Sequence, residues 1–228
     1  MKKVHPIMTY LLIVLCSLVF CHEVQIAHSL TFNLNTLLPL GSTIPLKLMH
    51  PTSLPMLFGM IIHLMTNWRL WSAMFLHANI MHILMNMIFL LFIGKITEPL
   101  FHHIRFLLLF LLTGFIGDLA SAVIGQAYSV GASTALFGLL LAGWILARRM
   151  HANQLASSLM SLFIINIVFD FMFPDISLWG HLGGALAGIC LGWTLRPHVP
   201  HHIATSLWVE IPLSLLVTGA LTGVLLLW

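Results

Sequence analysis

Three short blocks of the sequence carry polar side chains that could together hydrolyse a peptide bond. They hold His77, His82 and Asn86, then Gly131 and Ser133, and finally His181, Gly184 and Gly188. A serine hydroxyl is a poor nucleophile until a base removes its proton, and an imidazole that titrates near neutral pH can take this proton and later return it to a leaving amine. Ser133 and His181 are therefore the candidate nucleophile and base.

Attack on a peptide carbonyl produces a tetrahedral oxyanion, which needs hydrogen-bond donors. The candidate donors are the Asn86 amide, the His82 imidazole and the backbone N–H of Ser133 at the start of a helix. One such donor is typically worth about 2.7–4 kcal/mol. No third carboxylate is evident beside Ser133 and His181, so the sequence predicts a catalytic dyad. Taken alone, each residue has a commoner explanation as a helix cap or an interhelical hydrogen-bonding group.

The composition places these residues in a membrane protein. Of the 228 residues, 60% are hydrophobic and 7% are charged, against roughly 45–50% and 25% in soluble proteins. So few charges cannot cover the surface of a soluble domain of this length. The net charge of +3 is small and no basic run is present, so nucleic acid is not an expected partner. The expected surroundings are the lipid bilayer.

The elements that position the candidate residues are predicted to be transmembrane helices. About 20 apolar residues cross a hydrocarbon core of ~30 Å. Seven segments qualify, approximately residues 7–26, 80–97, 106–123, 133–147, 155–173, 181–195 and 211–228. The predicted fold class is all-α, a polytopic membrane helix bundle. Residues 27–79 form the first outer loop, and the 48–68 portion is expected to be interfacial or re-entrant because it contains Pro51 and Pro55.

The loop charges predict the orientation of this bundle. With the N-terminus in the cytoplasm, seven Lys and Arg residues are cytoplasmic and only Lys47 and Arg69 lie outside. The second, fourth and sixth spans then run from outside to inside. Ser133 and His181 each precede an arginine by 15 residues, so both stand about 22 Å above the cytoplasmic charges and some ~8 Å below the outer edge of the hydrocarbon core.

Close packing is predicted between the two helices that carry Ser133 and His181. Gly184 and Gly188 follow His181 at i+3 and i+7 and share its helix face. Glycines on that face let a neighbouring backbone approach closely. Such an approach would bring the serine hydroxyl within hydrogen-bond distance of the imidazole.

Together these blocks resemble the rhomboid family of intramembrane serine proteases. The resemblance covers residues 68–195 and includes Trp68 and Arg69 in the first loop and Gly94 and Glu98 at the end of the second span. It implies six core helices, here followed by one more, and hydrolysis of transmembrane protein substrates just inside the bilayer. No metal or cofactor is implied. The core is expected over residues 1–196, and a linker with the seventh helix over 197–228.

The resemblance also implies roles for individual residues. Ser133 and His181 match the family's catalytic pair, and His82 and Asn86 match its oxyanion-binding residues. Gly131 precedes the serine in the family's G-x-S pattern.

The remaining matches imply supporting roles. Trp68 and Arg69 resemble structural residues of the first loop, and His77 resembles a residue that supports the chemistry without performing it. The glycines at 184 and 188 complete the H-x2-G-x3-G block.

Two positions depart from the family pattern. Thr134 stands where a glycine usually follows the serine, and its side chain could crowd the oxyanion site or alter which substrates fit. Phe137 stands where a tyrosine commonly packs on the catalytic histidine, so stacking is expected to survive without the hydroxyl. Neither departure removes a reacting group.

Other functions stay open at this point. Asp118 and Asp170 lie within predicted spans and suggest a membrane aspartyl protease as an alternative, although the YD and GxGD motifs of that class are missing. A catalytically silent relative that binds transmembrane helices is a second alternative. The pairs His102-His103 and His201-His202 suggest a metal site, but the sequence has no acidic or thiol ligands beside them. A bacterial inner membrane is the expected location, with the active site opening to the outer side.

Overall fold

The computed structural model describes residues 4–44, 67–125, 128–172, 177–195 and 203–226, together with four single residues, Met56, Gly59, Ile61 and Leu64. Its α-helices are α1 (Ile7–Ala27), α2 (Leu34–Leu40), α3 (Arg69–Ser72), α4 (Ile80–Phe101), α5 (His103–Val123), α6 (Ser133–Arg149), α7 (Asn153–Met172), α8 (Leu178–Thr194) and α9 (Ile203–Leu226). Among these residues the β-structure is limited to one isolated bridge, between Thr31 and Asn79. The predicted all-α helical bundle is confirmed.

Four of the described helices are long and apolar enough to cross a membrane, namely α1, α4, α5 and most of α7. The sequence predicts seven spans, and the other three correspond to shorter described apolar stretches. Helices α6 and α8 each have 17 residues, at the lower end of the range of about 17–25 residues that crosses a bilayer. In α9 the apolar stretch is Glu210–Leu225. Most of the predicted 48–68 segment and the 197–202 linker lie outside the described residues.

Helix α6 lies at the centre of the bundle and packs on α8. Their contact depends on small residues, because a Cβ atom added at Gly184 would lie 2.1 Å from the carbonyl oxygen of Thr134. A Cβ atom added at Gly188 would likewise lie 2.1 Å from the carbonyl oxygen of Gly138. Only glycine permits this spacing, so the close approach expected from the sequence is present.

Polar contacts fix the outer helices to this centre. Glu98 of α4 is fully buried and accepts hydrogen bonds at 2.8 Å from the amides of Met8 and Thr9 in the first turn of α1. At the other side of the bundle, Arg105 of α5 forms a buried ion pair with Glu210 of α9. Both ends of the chain are therefore held by side chains from the middle of the sequence.

Candidate active site

Ser133 is the first residue of α6 and follows a turn that only glycine fits well. Gly131 adopts a positive φ of 112°, and its amide donates to the carbonyl of Ala73 at 2.9 Å. A Cβ atom at Gly131 would lie 2.7 Å from the imidazole of His82. The turn therefore brings the start of α6 against α4, with the histidine ring beside it.

His181 lies in the first turn of α8, and the start of this helix is fixed by a serine cap. Ser177 accepts a hydrogen bond from the amide of Gly180 at 3.2 Å and donates to the Ser121 hydroxyl of α5 at 2.6 Å. The helix thus begins three residues earlier than the sequence predicts. The Nε2 atom of His181 lies 2.7 Å from Oγ of Ser133, so the structure brings the predicted nucleophile and base into direct hydrogen-bond contact.

An aromatic ring holds the imidazole from one side. Phe137, one turn after Ser133 on α6, stacks on His181 with ring centroids 4.2 Å apart and an interplanar angle of 12°. The phenylalanine in turn contacts Phe163 of α7 edge-on at 5.8 Å. The expected stacking is therefore present without a tyrosine hydroxyl.

A carboxylate contacts the opposite nitrogen of the same ring, which corrects a sequence-based prediction. Oδ2 of Asp170 in α7 lies 2.6 Å from Nδ1 of His181, and both side chains are almost completely buried. The sequence predicts that no carboxylate lies beside Ser133 and His181, and this expectation is wrong. The catalytic roles of these residues stay predictions. Ser133, His181 and Asp170 form a continuous hydrogen-bonded row.

The predicted oxyanion residues lie on the α4 side of Ser133. Asn86 is buried, and its Nδ2 donates to the backbone carbonyl of His82 at 3.1 Å. The same Nδ2 would lie 3.5 Å from a Cβ atom at Gly131, two residues before the serine. The amide of Ala78 donates to Nδ1 of His82 at 3.5 Å, which leaves the ring proton on Nε2, the nitrogen nearer Gly131.

His77 lies behind this pair and does not contact the Ser133 and His181 side chains in any hydrogen bond that the described residues form. Its ring meets that of His82 edge-on, with centroids 5.3 Å apart. Its backbone amide donates to the buried Glu23 carboxylate of α1 at 3.2 Å. The sequence offered no hint of Glu23, because the partners are 54 positions apart.

Trp68 and Arg69 belong to the loop in front of α4. The Arg69 guanidinium donates to the carbonyls of Leu38 at 2.5 Å and Ser42 at 3.2 Å, and it stacks over the Trp68 ring at 4.9 Å. These contacts tie α3 to the end of α2. The geometry agrees with a structural role for both residues.

Thr134 does not project among the predicted oxyanion residues. Its side chain is buried between α5 and α8, with its hydroxyl 3.5 Å from Oδ1 of Asp118 and its methyl group close to Gly180. Asp118 also accepts a hydrogen bond from Ser129 at 3.1 Å. The added side chain therefore fills space between helices behind the serine.

The two aspartates of the aspartyl protease alternative occupy different hydrogen-bond networks. Asp118 bonds to Ser129 and Thr134, whereas Asp170 bonds to His181. For the metal alternative, no group of three or more His, Cys, Asp or Glu side chains could hold an ion within the part of the chain that is described. His103 pairs with Glu98 at 2.5 Å, and His201 and His202 lie outside that part.

Comparison with known proteins identifies the family. Residues 64–198, more than half of the chain, match the Rhomboid domain. The chain belongs to the rhomboid family. It is 41% identical over 144 residues to RHOMBOID-like protein 2 of Arabidopsis thaliana, covering 59% of this chain and 44% of the relative. It is 36% identical over 124 residues to rhomboid protease GluP of Bacillus subtilis, covering 53% of this chain and 24% of the relative.

The matches extend over less than half the length of these relatives. Similar proteins include plant proteins, one of them named as mitochondrial, as well as a bacterial protease. They do not favour a bacterial inner membrane over other membranes. Family membership and the apolar helices establish an integral membrane protein of a protease family.

Proposed function

We propose that this chain is an intramembrane serine endopeptidase that cleaves transmembrane proteins in or near their membrane-spanning segments. The observation that carries the proposal is the 2.7 Å contact between Oγ of Ser133 and Nε2 of His181. The rhomboid protease from Bacillus subtilis among the similar proteins adds support. We further propose a cytoplasmic N-terminus and an active site that opens to the outer side, on the basis of the loop charges.

The arrangement supports a two-step acyl transfer. Oγ of Ser133 attacks the scissile carbonyl carbon while its proton passes to Nε2 of His181. The oxyanion accepts hydrogen bonds from the Ser133 amide, Nδ2 of Asn86 and Nε2 of His82. His181 returns the proton to the leaving amine as the C–N bond breaks. Water, deprotonated by the same histidine, then hydrolyses the acyl-enzyme and restores the Ser133 hydroxyl.

The test is cleavage of a tagged single-pass reporter by wild type, Ser133→Ala and His181→Ala. Wild type should release fragments and react with a serine-directed fluorophosphonate, whereas each variant should lose at least ~10³-fold in cleavage rate because the nucleophile or base is absent. Gly219→Ala is a suitable control, since a Cβ atom there meets nothing within 4 Å. Undiminished cleavage by Ser133→Ala would show that the serine is not the nucleophile.

The same experiment separates the second candidate function. A silent relative that only binds transmembrane helices would retain the reporter without cutting it and would leave Ser133 unlabelled. The contact of His181 with Ser133, and the stacking of Phe137 on the buried His181 ring, favour the enzyme. A chain that binds the reporter in co-purification but neither cleaves nor labels would favour the silent relative.

A further inference from the structure

We propose that Asp170 is a positioning residue for His181, so that the site operates as a Ser-His-Asp triad. The proposal rests on the proposed function, since a positioned base matters only if Ser133 is the nucleophile. It starts from the bond between Oδ2 of Asp170 and Nδ1 of His181, at 2.6 Å, and continues to Ser133 on the far side of the ring at 2.7 Å. A charge-assisted hydrogen bond of this length is among the stronger polar contacts in proteins.

This contact selects the tautomer that the reaction needs. A carboxylate can only accept a hydrogen bond, so the ring proton must be on Nδ1 of His181. Nε2 then carries a lone pair toward the Ser133 hydroxyl and can receive its proton. When the proton arrives, the imidazolium remains beside the Asp170 carboxylate, which stabilises the new positive charge without being protonated itself.

Burial strengthens the effect. The side chains of His181 and Asp170 are 6% and 4% exposed, and an ionised carboxylate removed from water to this degree requires a partner. A histidine that becomes positively charged at the same buried position also requires a partner of opposite charge. Asp170 and His181 therefore stabilise each other's charge during the step in which the serine proton is transferred.

The ionisable groups around His181 come from several helices. Asp170 approaches from α7, and His82 of α4 interacts electrostatically with the His181 imidazole. From α5, Asp118 sits behind Thr134 and bonds to its hydroxyl. Asp170 is the one among these three with a hydrogen bond to His181 in the part of the chain that is described, so its replacement should have the most direct effect on proton transfer.

The contact also joins helices that otherwise share little surface. Helix α7 packs mainly on α6, through residues such as Phe163 and Leu159. The end of α7 contacts α8 through Asp170 and His181. Asp170 could therefore serve only to hold α7 against α8, and the experiment must distinguish this structural role from positioning of the His181 ring.

The test compares Asp170→Asn, Asp170→Glu and the control Asn166→Ala, one turn earlier on α7. In Asp170→Asn the amide can donate to Nδ1 of the imidazole, which moves the ring proton to Nε2 and blocks the base. We expect kcat for the reporter to fall by roughly 10²–10⁴-fold with little change in KM. The fluorophosphonate labelling rate should fall in parallel. Asp170→Glu should restore part of the loss, and Asn166→Ala should resemble wild type.

Two results would overturn the triad. The first is an Asp170→Asn protein with wild-type kcat and labelling rate while Ser133→Ala is inactive, which would leave the proposed function intact. The second is loss of activity only in proportion to loss of thermal stability, with no rescue by glutamate. If Ser133→Ala remains active, it is the proposed function that fails.

A measurement on wild type keeps the proposal testable even if both Asp170 variants misfold. Histidine-selective ¹⁵N NMR of the detergent-solubilised protein, assigned by comparison with His181→Ala, reports which ring nitrogen carries the proton. We expect the neutral His181 ring to be protonated on Nδ1. Protonation on Nε2 would contradict the proposal directly.

Discussion

The Ser133 hydroxyl, the His181 ring and the Asn86 amide illustrate how far residue types and spacing can predict a site. The first two are 48 positions apart in sequence and 2.7 Å apart in space. The prediction of their proximity succeeded because Ser133 begins α6 and His181 lies in the first turn of α8, and each precedes an arginine by the same 15 residues in the sequence. The roles of these residues in catalysis stay predictions until activity is measured.

Asp170 is named from the sequence only for an aspartyl protease and not as a partner of His181, although its sequence position contains the same kind of signal. It lies 17 residues after Asn153 at the start of α7, and Ser133 lies 16 residues before the end of α6 at Arg149. At 1.5 Å per residue these are about 26 and 24 Å, so the carboxylate and the hydroxyl are level. Because α7 runs opposite to α6, a residue near the end of α7 lies at the level of the first residue of α6.

Asn86 provides a prediction at the scale of one side chain. Asn86→Ala should lower kcat by about 10²–10³-fold, because one donor to the oxyanion is lost. The fold should remain, since the amide bonds only to the carbonyl of its own helix among the described contacts. Reporter cleavage and the unfolding midpoint in detergent measure the two effects. An unchanged kcat in a folded variant would remove Asn86 from the oxyanion site.

At the scale of helices, the contact between α6 and α8 determines whether the serine and histidine can meet. The i+3 and i+7 glycines predicted this contact correctly, because small residues at helical spacing leave a groove for a neighbouring backbone. The precise starts of helices were less predictable. The α8 helix starts at Leu178 because the Ser177 hydroxyl is anchored to Ser121 of α5, a partner that only the fold reveals.

Gly188→Ala should therefore damage both stability and chemistry. The added Cβ atom would meet the carbonyl oxygen of Gly138 at 2.1 Å and push the helices apart. We expect a loss of about 1–3 kcal/mol in the free energy of unfolding and slower fluorophosphonate labelling of Ser133. Gly219→Ala in α9, where a Cβ atom meets nothing within 4 Å, is the matched control and should be close to wild type. Equal effects of the two substitutions would argue against close packing as the cause.

For the whole molecule, the described contacts make α9 part of the bundle. Composition predicted that the last segment would be an apolar helix, and the resemblance predicted that it would be an addition to six others. Neither could predict its attachment, because Arg105 and Glu210 are 105 positions apart and pair only through the tertiary fold. Leu221 and Leu225 of α9 add apolar packing near Leu64 and Leu70.

The ion pair gives a prediction for the stability of the complete chain. Arg105→Ala deprives the buried Glu210 carboxylate of its guanidinium and should cost about 3–5 kcal/mol. Arg148→Ala is the control, since that guanidinium is exposed. The double variant Arg105→Met/Glu210→Leu should recover much of the loss, because two apolar side chains leave no buried charge. Unfolding in mixed micelles measures all three, and a double variant less stable than Arg105→Ala would contradict this explanation.

The Glu23 carboxylate connects α1 to the predicted oxyanion residue His82. It holds the amide of His77, whose ring rests against His82. Helix α1 is therefore connected to His82 through Glu23 and His77. A tilt of α1 in a thinner or thicker bilayer would be transmitted over these two contacts to the His82 imidazole. A shortened version of this protein that lacks the first helix would lose that brace, even though every reacting atom would still be present.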